Sequence, residues 1–474
     1  MEETINKIKN EFSKTPDLKI KEIKMNVLKS IYIVFIETIC DSNKINNYIL
    51  KHLTNNKNDI NYIKNNLPGP NTVIIKEYDS IEYYLTNGFA IVISDKNIIA
   101  IEVKGELNRS IGTSAREPSL LGPEDAFNEN YQTNIGLIKR RIKSNTLKTE
   151  ELTIGRKTKT KISLNYLEDV AEEKNVIEIK KKLDGIDIDG ILDVGTLVNI
   201  LEAENKSIFP TIKRTERPDL ASSSILEGKI VILVDTSPFA IILPAFLADF
   251  INPVSDGYVK SINVTFLKIL RAFCFILSMI TPGVFIAVMN YNQETIPSSL
   301  LISFSTQRAG VPFPSIVELL ILLIICDMLR ESDLRFPTNF GSTISILGAL
   351  IIGDAAVSAG IVSSIMIIIT SLTFISSLIF TEIEIINALR YYRYIFLFFA
   401  ATFGLYGIFL CTILLLINVI SIKSLNVPYF APIAPFNKNY FFKTILKRKD
   451  VNNTKRSKLI TKKNLTRGRF SWKE

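Results

Sequence analysis

The feature that most constrains this chain is an apolar stretch of thirty-eight residues, Thr343–Phe380, whose single ionisable side chain is Asp354. As one straight helix it would be about 57 Å long, nearly twice the roughly 30 Å hydrocarbon core of a bilayer. The chain must therefore turn inside a membrane or just beyond it, and Gly360 offers a place for that turn. The stretch predicts an integral membrane protein.

Three further apolar segments indicate the same environment. Ala272–Met289 carries no charge and is just long enough to span, although Pro282 and Gly283 should kink or break its helix. The segment 313–329 is interrupted by two acidic residues, whereas Tyr394–Ser421 is charge-free and long enough for one tilted span. We expect an all-α polytopic membrane domain with about four crossings.

One additional apolar piece should be re-entrant or lie at the membrane surface. The segment Ser298–Gly310, which prolines bracket, mixes Leu and Ile with Ser and Gln. This mixture favours an amphipathic helix at the interface, with an ordinary loop as the alternative. The predicted membrane domain covers residues 256–435.

A basic tail follows at residues 436–474. From Asn437 to Glu474 there are thirteen Lys or Arg and two acidic residues, a local net charge of +11 in a chain of +9. Basic segments beside membrane spans stay in the cytoplasm and attract anionic lipid. We therefore predict a cytoplasmic, lipid-facing tail and no nucleic-acid binding. The N-terminus lacks an apolar signal segment, so the N-terminal half is also expected in the cytoplasm.

The first 255 residues predict two small α/β subdomains. Residues 1–109 form the first, with a linker or fraying helix up to residue 25. A strand at Ile31–Ile39, a helix capped by Asp41 and three short strands near 72–75, 90–94 and 98–103 complete it.

Residues 110–255 predict the second subdomain. One helix is expected over Glu124–Lys143 and another from about Leu167 to Leu183, with a strand pair between them. A helix near 194–204, a short helix after Asp219 and a strand at Lys229–Val234 follow. Strands that alternate with helices indicate an α/β fold packed round a sheet.

Asp354 is the first candidate for function, because a carboxylate in lipid is costly unless it faces a partner or water. The small residues around it let helix backbones approach closely. We interpret the segment as part of a pore or ion path; the alternative is a tightly packed helix whose acid meets an arginine. The candidate pore residues are Ser345, Gly348, Gly353, Asp354, Val357 and Gly360.

Glu318 and Asp327 are the two acidic residues within the apolar segment 313–329. They are nine residues apart and therefore about 180° apart on an ideal helix. We expect Glu318 to meet Arg308 or another cation across a helix interface, and Asp327 to lie near the membrane boundary. A structural salt bridge is favoured over ion coordination. Glu318, Arg308, Pro282 and Gly283 are the candidate structural or gating residues.

Residue types that support catalysis or metal binding are scarce. The four cysteines show no paired framework or metal spacing, and the only histidine is His52. There is no Walker loop, no GxGxxG and no nucleophile–base pair, so we expect no cofactor and no enzyme activity. The basic run Lys139–Arg141 is interpreted as a solvated surface or a subunit contact.

Several strings, in order, resemble the GerA spore germination family. REPSLLGPEDAFNENYQTNIGLIKRRI begins at Arg116, and ERPDLA with EGKIVILVDTSPFAIILP begins at Glu216. ITPGVFIA, QETIP, RAGVPFPSIVELL and LRESDLRFP follow between Ile280 and Pro337. SILGALIIGDAAVSAGIVS and NVPYFAPIAP end the series at Pro435. No single string is diagnostic, but the ordered set is highly specific.

The resemblance implies the A-type subunit of a nutrient germinant receptor in the spore inner membrane. Such subunits work with a multispan B-type partner and a lipoprotein C-type partner. The family also implies a homo-oligomer that forms a ligand-gated channel for monovalent cations as germination begins. Where the family often has an uncharged Gln, this chain has Asp354.

Three alternatives remain open. The chain could be a non-conducting scaffold or signal transducer, or the family paralogue tied to the dipicolinate-release operon. A secondary transporter would need paired broken helices in two matching halves, and only one clear Gly-rich interruption is present.

Overall fold

The computed structural model describes residues 2–26, 29–51, 53, 71–75, 78, 80–94, 97–105, 117, 121–333, 355–444, 446–447 and 454–468. The described residues form two antiparallel sheets with their helices, followed by a set of long apolar helices. The expected fold class is confirmed.

The first sheet has five antiparallel strands in the order β1-β2-β4-β5-β3. These are β1 (Leu18–Asn26), β2 (Lys29–Ile36), β3 (Thr72–Ile75), β4 (Phe89–Ile93) and β5 (Ile98–Glu102). Three helices contribute to its core: α1 (Glu2–Glu11), α2 (Ser42–Ile45), which continues as a π-helical turn over Asn46–Leu50, and α3 (Ser80–Thr86). Asp41 caps α2 as expected, because its carboxylate accepts a hydrogen bond from the backbone N–H of Asn43 at 2.8 Å.

A linker or fraying helix is expected from the sequence up to residue 25. Residues 2–11 do form a helix, α1, with Ile5 and Ile8 buried, but the expectation is wrong for residues 18–25. Leu18–Asn26 is an edge strand that pairs with β2 along its whole length, with a bulge between Lys24 and Asn26. An edge strand buries only one face, so charged residues fill the other positions and hide the strand pattern. The bulge also interrupts the alternation on which a strand prediction depends.

The second sheet is the centre of a three-layer sandwich. Its strands β6 (Leu147–Ile154), β7 (Thr160–Leu167), β8 (Lys213–Thr215), β9 (Ile230–Val234) and β10 (Ala240–Leu243) follow the order β6-β7-β9-β10-β8. On one face of the sheet, helices α5 (Glu173–Asp184) and α6 (Val194–Leu201) form a core with Ile230 and Ile232. On the other face, α4 (Tyr131–Arg141) and α7 (Pro218–Leu226) form a core with Val231 and Leu233. Alternate residues of β9 thus point to opposite layers, which explains its unbroken apolar sequence.

Two helix starts in this unit differ from the prediction. The helix expected from Glu124 begins at Tyr131, where Asn130 accepts from the backbone N–H of Thr133 at 3.0 Å. The helix expected from Leu167 begins at Glu173, because β7 extends to Leu167 and a turn follows. Sequence patterning missed β8 and β10, which are only three and four residues long.

A buried ion pair joins the two sheet units. Lys139, 6% exposed, donates to both carboxylate oxygens of Asp17 at 2.5 and 2.6 Å, and Thr38 donates to the same carboxylate at 2.5 Å. The interpretation of Lys139 as a solvated surface residue is therefore wrong. Its amine lies on the side of α4 that meets the first unit.

The C-terminal half is helical. Its helices are α8 (Leu247–Ile251), α9 (Ser261–Tyr291), α10 (Ser298–Arg308), α11 (Ser315–Asp333), α12 (Ala356–Ser358), α13 (Ser364–Leu378), α14 (Ile383–Ser421) and α15 (Lys438–Thr444). A two-stranded ribbon, β11 (Lys423–Ser424) and β12 (Val427–Pro428), follows α14. Among the described residues, α9 and α14 are long and apolar enough to cross a membrane by length and composition, and α13 is a shorter apolar helix.

The chain reverses direction inside α14. Glu384 at its start pairs with Arg214, and Asn418 near its end accepts a hydrogen bond from Ser207 at 2.9 Å. In a straight helix residues 384 and 418 would be about 51 Å apart. Residues 207 and 214 are at most about 25 Å apart. The expectation of one tilted span over Tyr394–Ser421 is therefore wrong.

Gly404 is the point of reversal. It has φ 62° and ψ −142°, the only non-helical backbone inside α14. The Tyr291 hydroxyl donates to the carbonyls of Ala401 and Thr402 at 2.5 and 3.2 Å, so it binds acceptors that the broken helix leaves free. We call residues 383–421 the hairpin. Its first limb, up to residue 403, is about 31 Å long, enough to cross a hydrocarbon core.

Part of the basic tail is docked on the second sheet unit. Ile460 belongs to a buried cluster with Phe246 and Val427, and Thr461 donates to the carbonyl of Val170. Arg456 donates to the carbonyl of Leu226 at 2.7 Å. Over residues 454–468, therefore, the expectation of a lipid-facing anchor is wrong, because side chains and backbone of this segment pack against protein.

Candidate functional site: buried charges among the C-terminal helices

Glu318 is the most deeply buried acid among the described residues of the helical half. It lies in the first turn of α11 and is 0% exposed. Its Oε1 accepts from the backbone N–H and the hydroxyl of Ser363, both at 2.6 Å. Among the described residues, none donates a hydrogen bond to its Oε2. One carboxylate oxygen is thus fully bound and the other is not.

Arg308 faces the unbound oxygen. Its Nε lies 3.7 Å from Glu318 Oε2, which is an ion-pair distance but too long for a hydrogen bond. This Nε is also buried, and it has no hydrogen-bond partner in the part of the chain that the structure describes. The sequence expectation that Glu318 meets Arg308 agrees with this geometry. A buried charge pair without a hydrogen bond is incompletely compensated, because desolvation is offset only by good geometry.

Asp327 belongs to a separate cluster on α11. Its Oδ2 accepts from the Tyr394 hydroxyl at 2.7 Å, and its Oδ1 lies 3.2 Å from Arg390 Nε. Both partners come from the first limb of the hairpin. The two acids of α11 therefore use different neighbours, as their angular separation on the helix predicts.

Pro282 does not end α9, which continues as one helix from Ser261 to Tyr291. Proline has no N–H, so the carbonyl of Ser278, four residues earlier, loses its helical donor. Arg393 Nε donates to this carbonyl at 2.9 Å, and Arg393 is only 2% exposed. The expected helix break is absent because an arginine of the hairpin replaces the missing N–H.

Gly283 lets α9 and the hairpin approach closely. A Cβ at this position would lie 3.2 Å from the carbonyl oxygen of Phe396 and 3.4 Å from the Cβ of Ala400. Both Pro282 and Gly283 are buried. These two predicted residues thus form one contact between α9 and the first limb, together with Arg393.

Most of the predicted pore segment, including Ser345, Gly348, Gly353 and Asp354, lies outside the described residues. Val357 lies in α12 and packs against the core that contains Ile286, Leu319 and Leu322. Gly360 has φ 65°, the left-handed turn that the sequence favoured, and its ideal Cβ would lie 3.5 Å from the carbonyl oxygen of Gly310.

This turn and Ser363 bring the end of the predicted pore segment to Glu318 and to the loop after Arg308. The structure therefore groups Gly360, Ser363, Glu318 and Arg308, and separates them from the Asp327 cluster.

A charged junction connects the second sheet to the start of the hairpin. Lys213 in β8 is 5% exposed, donates to the carbonyl of Asp249 at 2.6 Å and lies 3.3 Å from a Glu382 oxygen. Arg214 pairs with Glu384. Burial lowers the pKa of Lys213, but Glu382, Glu117 and Asp249 together outweigh burial and raise it above its ordinary value. Lys213 therefore remains charged at neutral pH.

Sequence reasoning missed this junction, Arg393 and Gly404. The sequence shows both Arg393 in an apolar segment and Pro282 in another. That Arg393 donates to the carbonyl of Ser278, four residues before Pro282, depends on how the two helices pack. Gly404 stands inside a charge-free stretch, where a single glycine does not show whether the helix bends or reverses.

Comparisons with known proteins agree with the sequence resemblance. Residues 6–459 match the family described as Bacillus/Clostridium GerA spore germination protein. Spore germination protein KA of Bacillus subtilis (strain 168) is 36% identical over 439 residues, which cover 90% of this chain and 81% of that protein. Spore germination protein GerQA of Bacillus cereus is 32% identical over 445 residues, which cover 90% of this chain and 89% of that protein.

One solved structure is similar over the N-terminal half. It is the crystal structure of the N-terminal domain of the A subunit of the Bacillus megaterium spore germinant receptor GerK3. It is 30% identical, with a TM-score of 0.40, and the match covers 52% of this chain and 95% of that one.

Proposed function

Since the chain belongs to the GerA family of spore germination proteins, we propose that it is an A-type subunit of a nutrient germinant receptor whose C-terminal helices form a gated path for monovalent cations. It acts in the spore inner membrane as a homo-oligomer, together with B-type and C-type subunits. It has no enzyme activity of its own.

The observation that carries the cation path is Glu318. Its fully buried carboxylate has one oxygen that receives no hydrogen bond from any residue the structure describes. Ionisable side chains within membrane helices are costly and are retained mainly where they face a partner, water or an ion. A carboxylate with a free oxygen is a ligand for a hard cation. Arg308 compensates this oxygen only through space at 3.7 Å.

Arg308 acts in this proposal as a tethered cation. In the closed state its guanidinium neutralises Glu318, and in the open state it moves away and a permeating ion takes its place. The side chain of Arg308 is 22% exposed and lies at the end of α10, which has no buried residues among those described, so its displacement disrupts little packing. Asp354, which lies outside the described residues, is assigned to the same path on the sequence argument alone.

The proposed orientation places the N-terminal half and the tail in the cytoplasm. Residues 454–468 contact the second sheet unit, so these two parts must be on the same side of the membrane. The number of crossings between them is therefore even.

The test is cation flux through the purified full chain in liposomes. Glu318→Gln and Asp354→Leu are compared with the wild type and with Glu294→Gln, which removes an exposed acid in the loop after α9. Altered conductance or selectivity in Glu318→Gln, with Glu294→Gln unchanged and oligomer size intact, supports the proposal. Wild-type flux and selectivity in Glu318→Gln would remove this residue from the path.

The docked tail favours a second candidate, a non-conducting scaffold that transmits a signal through its cytoplasmic half. Arg456 and Thr461 hold the tail to the sheet unit that also contacts the hairpin. The scaffold predicts no flux from any correctly assembled form and loss of germination on deletion of residues 437–474.

A further inference from the structure

The first turns of α9 carry an apolar stripe that nothing in the described chain covers. The stripe consists of Ile262, Phe266, Ile269, Phe273 and Ile276, which are 79, 68, 52, 57 and 52% exposed. At 100° per residue these five side chains lie within about 80° of arc. Val264, Arg271 and Ser278 lie on the opposite side of the helix and are buried. The stripe is therefore the face of α9 directed away from the described part of its own chain.

Lipid does not account for the lower part of the stripe, because this part of α9 is level with the cytoplasmic half. Phe275 stacks on Phe209 of the second sheet unit, with 6.5 Å between ring centroids. On the turns below it, Arg271 pairs with Asp256 at 2.7 Å, and Lys268 donates to the carbonyl of Thr444 at 2.7 Å. The lower part of the stripe is thus level with an ion pair and with the second sheet unit; it consists of Ile262, Phe266 and Ile269.

The spacing of the stripe favours a helix as its partner. Successive members are separated by four, three, four and three residues, the a and d pattern of a coiled-coil seam. The flanking positions that set partner choice in such seams are occupied here by Asn263, Thr265, Leu270 and Ala272. None of these is charged, so two identical helices placed side by side meet no like-charge repulsion along the seam.

A second copy of the chain also satisfies the geometry of a membrane. Copies inserted in one membrane have the same orientation, so their α9 helices are parallel and their stripes are at the same height. The stripe runs from turns level with the second sheet unit into the charge-free segment after Arg271 without interruption. A co-oriented copy covers both parts at once, whereas a soluble partner would reach only the lower part.

We propose that this stripe is a contact surface between copies of the chain, in which the first turns of two α9 helices pack in parallel. The inference rests on the proposed membrane orientation and homo-oligomer, and it names the surface through which copies meet. It requires no ion conduction.

Cysteine cross-linking of the full chain in membranes tests this contact. Phe266→Cys and Ile269→Cys are each made in a background with Cys274→Ser and Cys326→Ser, because those two native thiols are partly exposed. Leu267→Cys is the matched control: Leu267 is 37% exposed but points about 100° away from Phe266. Under mild oxidation, the two stripe variants should give several times the covalent dimer of the control.

A charge variant gives an independent measurement. Phe266→Glu should shift the solubilised assembly to smaller species, and Leu267→Glu should leave its size unchanged. Dimer yields equal to the control, together with an unchanged assembly in Phe266→Glu, would overturn the proposal. Cross-linked stripes in a protein that conducts no cations would keep the contact surface and refute only the channel.

Discussion

Replacing Gly404 with alanine tests the reversal of the hairpin. At φ 62° and ψ −142° this backbone is in a region occupied almost only by glycine, and a non-glycine residue there costs about 1–3 kcal/mol. The new Cβ would lie 3.0 Å from Cβ and Cγ of Tyr291, closer than ordinary van der Waals contact. Displacing Tyr291 would also weaken its hydrogen bonds to Ala401 and Thr402, at about 1 kcal/mol for a typical bond.

The expected destabilisation is therefore about 3 kcal/mol, which corresponds to about 6–12 °C for a cooperative unit of 150–250 residues. Cys411 provides the assay, because it is 2% exposed and lies in the second limb. In a background where Cys411 is the only cysteine, a thiol-reactive dye reports the temperature at which the limb opens.

Gly310→Ala is the matched control, since an added Cβ at Gly310 meets nothing within 4 Å. Gly404→Ala should unfold several degrees below both the wild type and this control. Equal unfolding temperatures for the two alanine variants would refute the reversal at Gly404 and the contact with Tyr291.

Three other predictions concern individual buried groups. Arg393→Met should lower the free energy of unfolding by about 1–3 kcal/mol, because it leaves the Ser278 carbonyl without a donor. Adding Pro282→Ala should recover part of that loss by restoring a helical N–H. Thermal unfolding of the single and double variants measures the recovery. Lys139→Met should cost about 3–5 kcal/mol, because it leaves Asp17 buried and uncompensated, whereas the double variant with Asp17→Asn should be close to wild type in denaturant unfolding. Burial raises the pKa of Asp219, but Arg217 and Tyr258 outweigh burial and hold the pKa below its ordinary value of 3.8. The ionised carboxylate therefore stabilises the fold above pH 3.8, and this stabilisation is lost as the pH falls through the lower pKa of the folded state. Asp219→Asn should therefore lose less stability than wild type on acidification below pH 3.8, and parallel acid-unfolding curves would contradict this.

The sequence by itself determined the division of the chain and several of its elements. The charge-poor length of 343–380 predicts a membrane segment, and the β-branched runs expected as strands at 72–75 and 229–234 form strands at Thr72–Ile75 and Ile230–Val234. Asp41 fixes a helix start because its cap bonds are local. The turn at Gly360 was also local, since a long apolar stretch must reverse and glycine adopts positive φ readily.

Tertiary structure decided the features that depend on distant partners. Lys139 is a surface residue by its own pattern and a buried one only because Asp17 faces it, more than a hundred positions away. Pro282 breaks a helix unless another chain segment supplies the missing donor, and Arg393 does so. The tail is basic enough for lipid but docks on a sheet, because Ile460 and Thr461 find a buried site there. Local sequence sets which bonds a residue needs, and packing alone sets which distant group provides them.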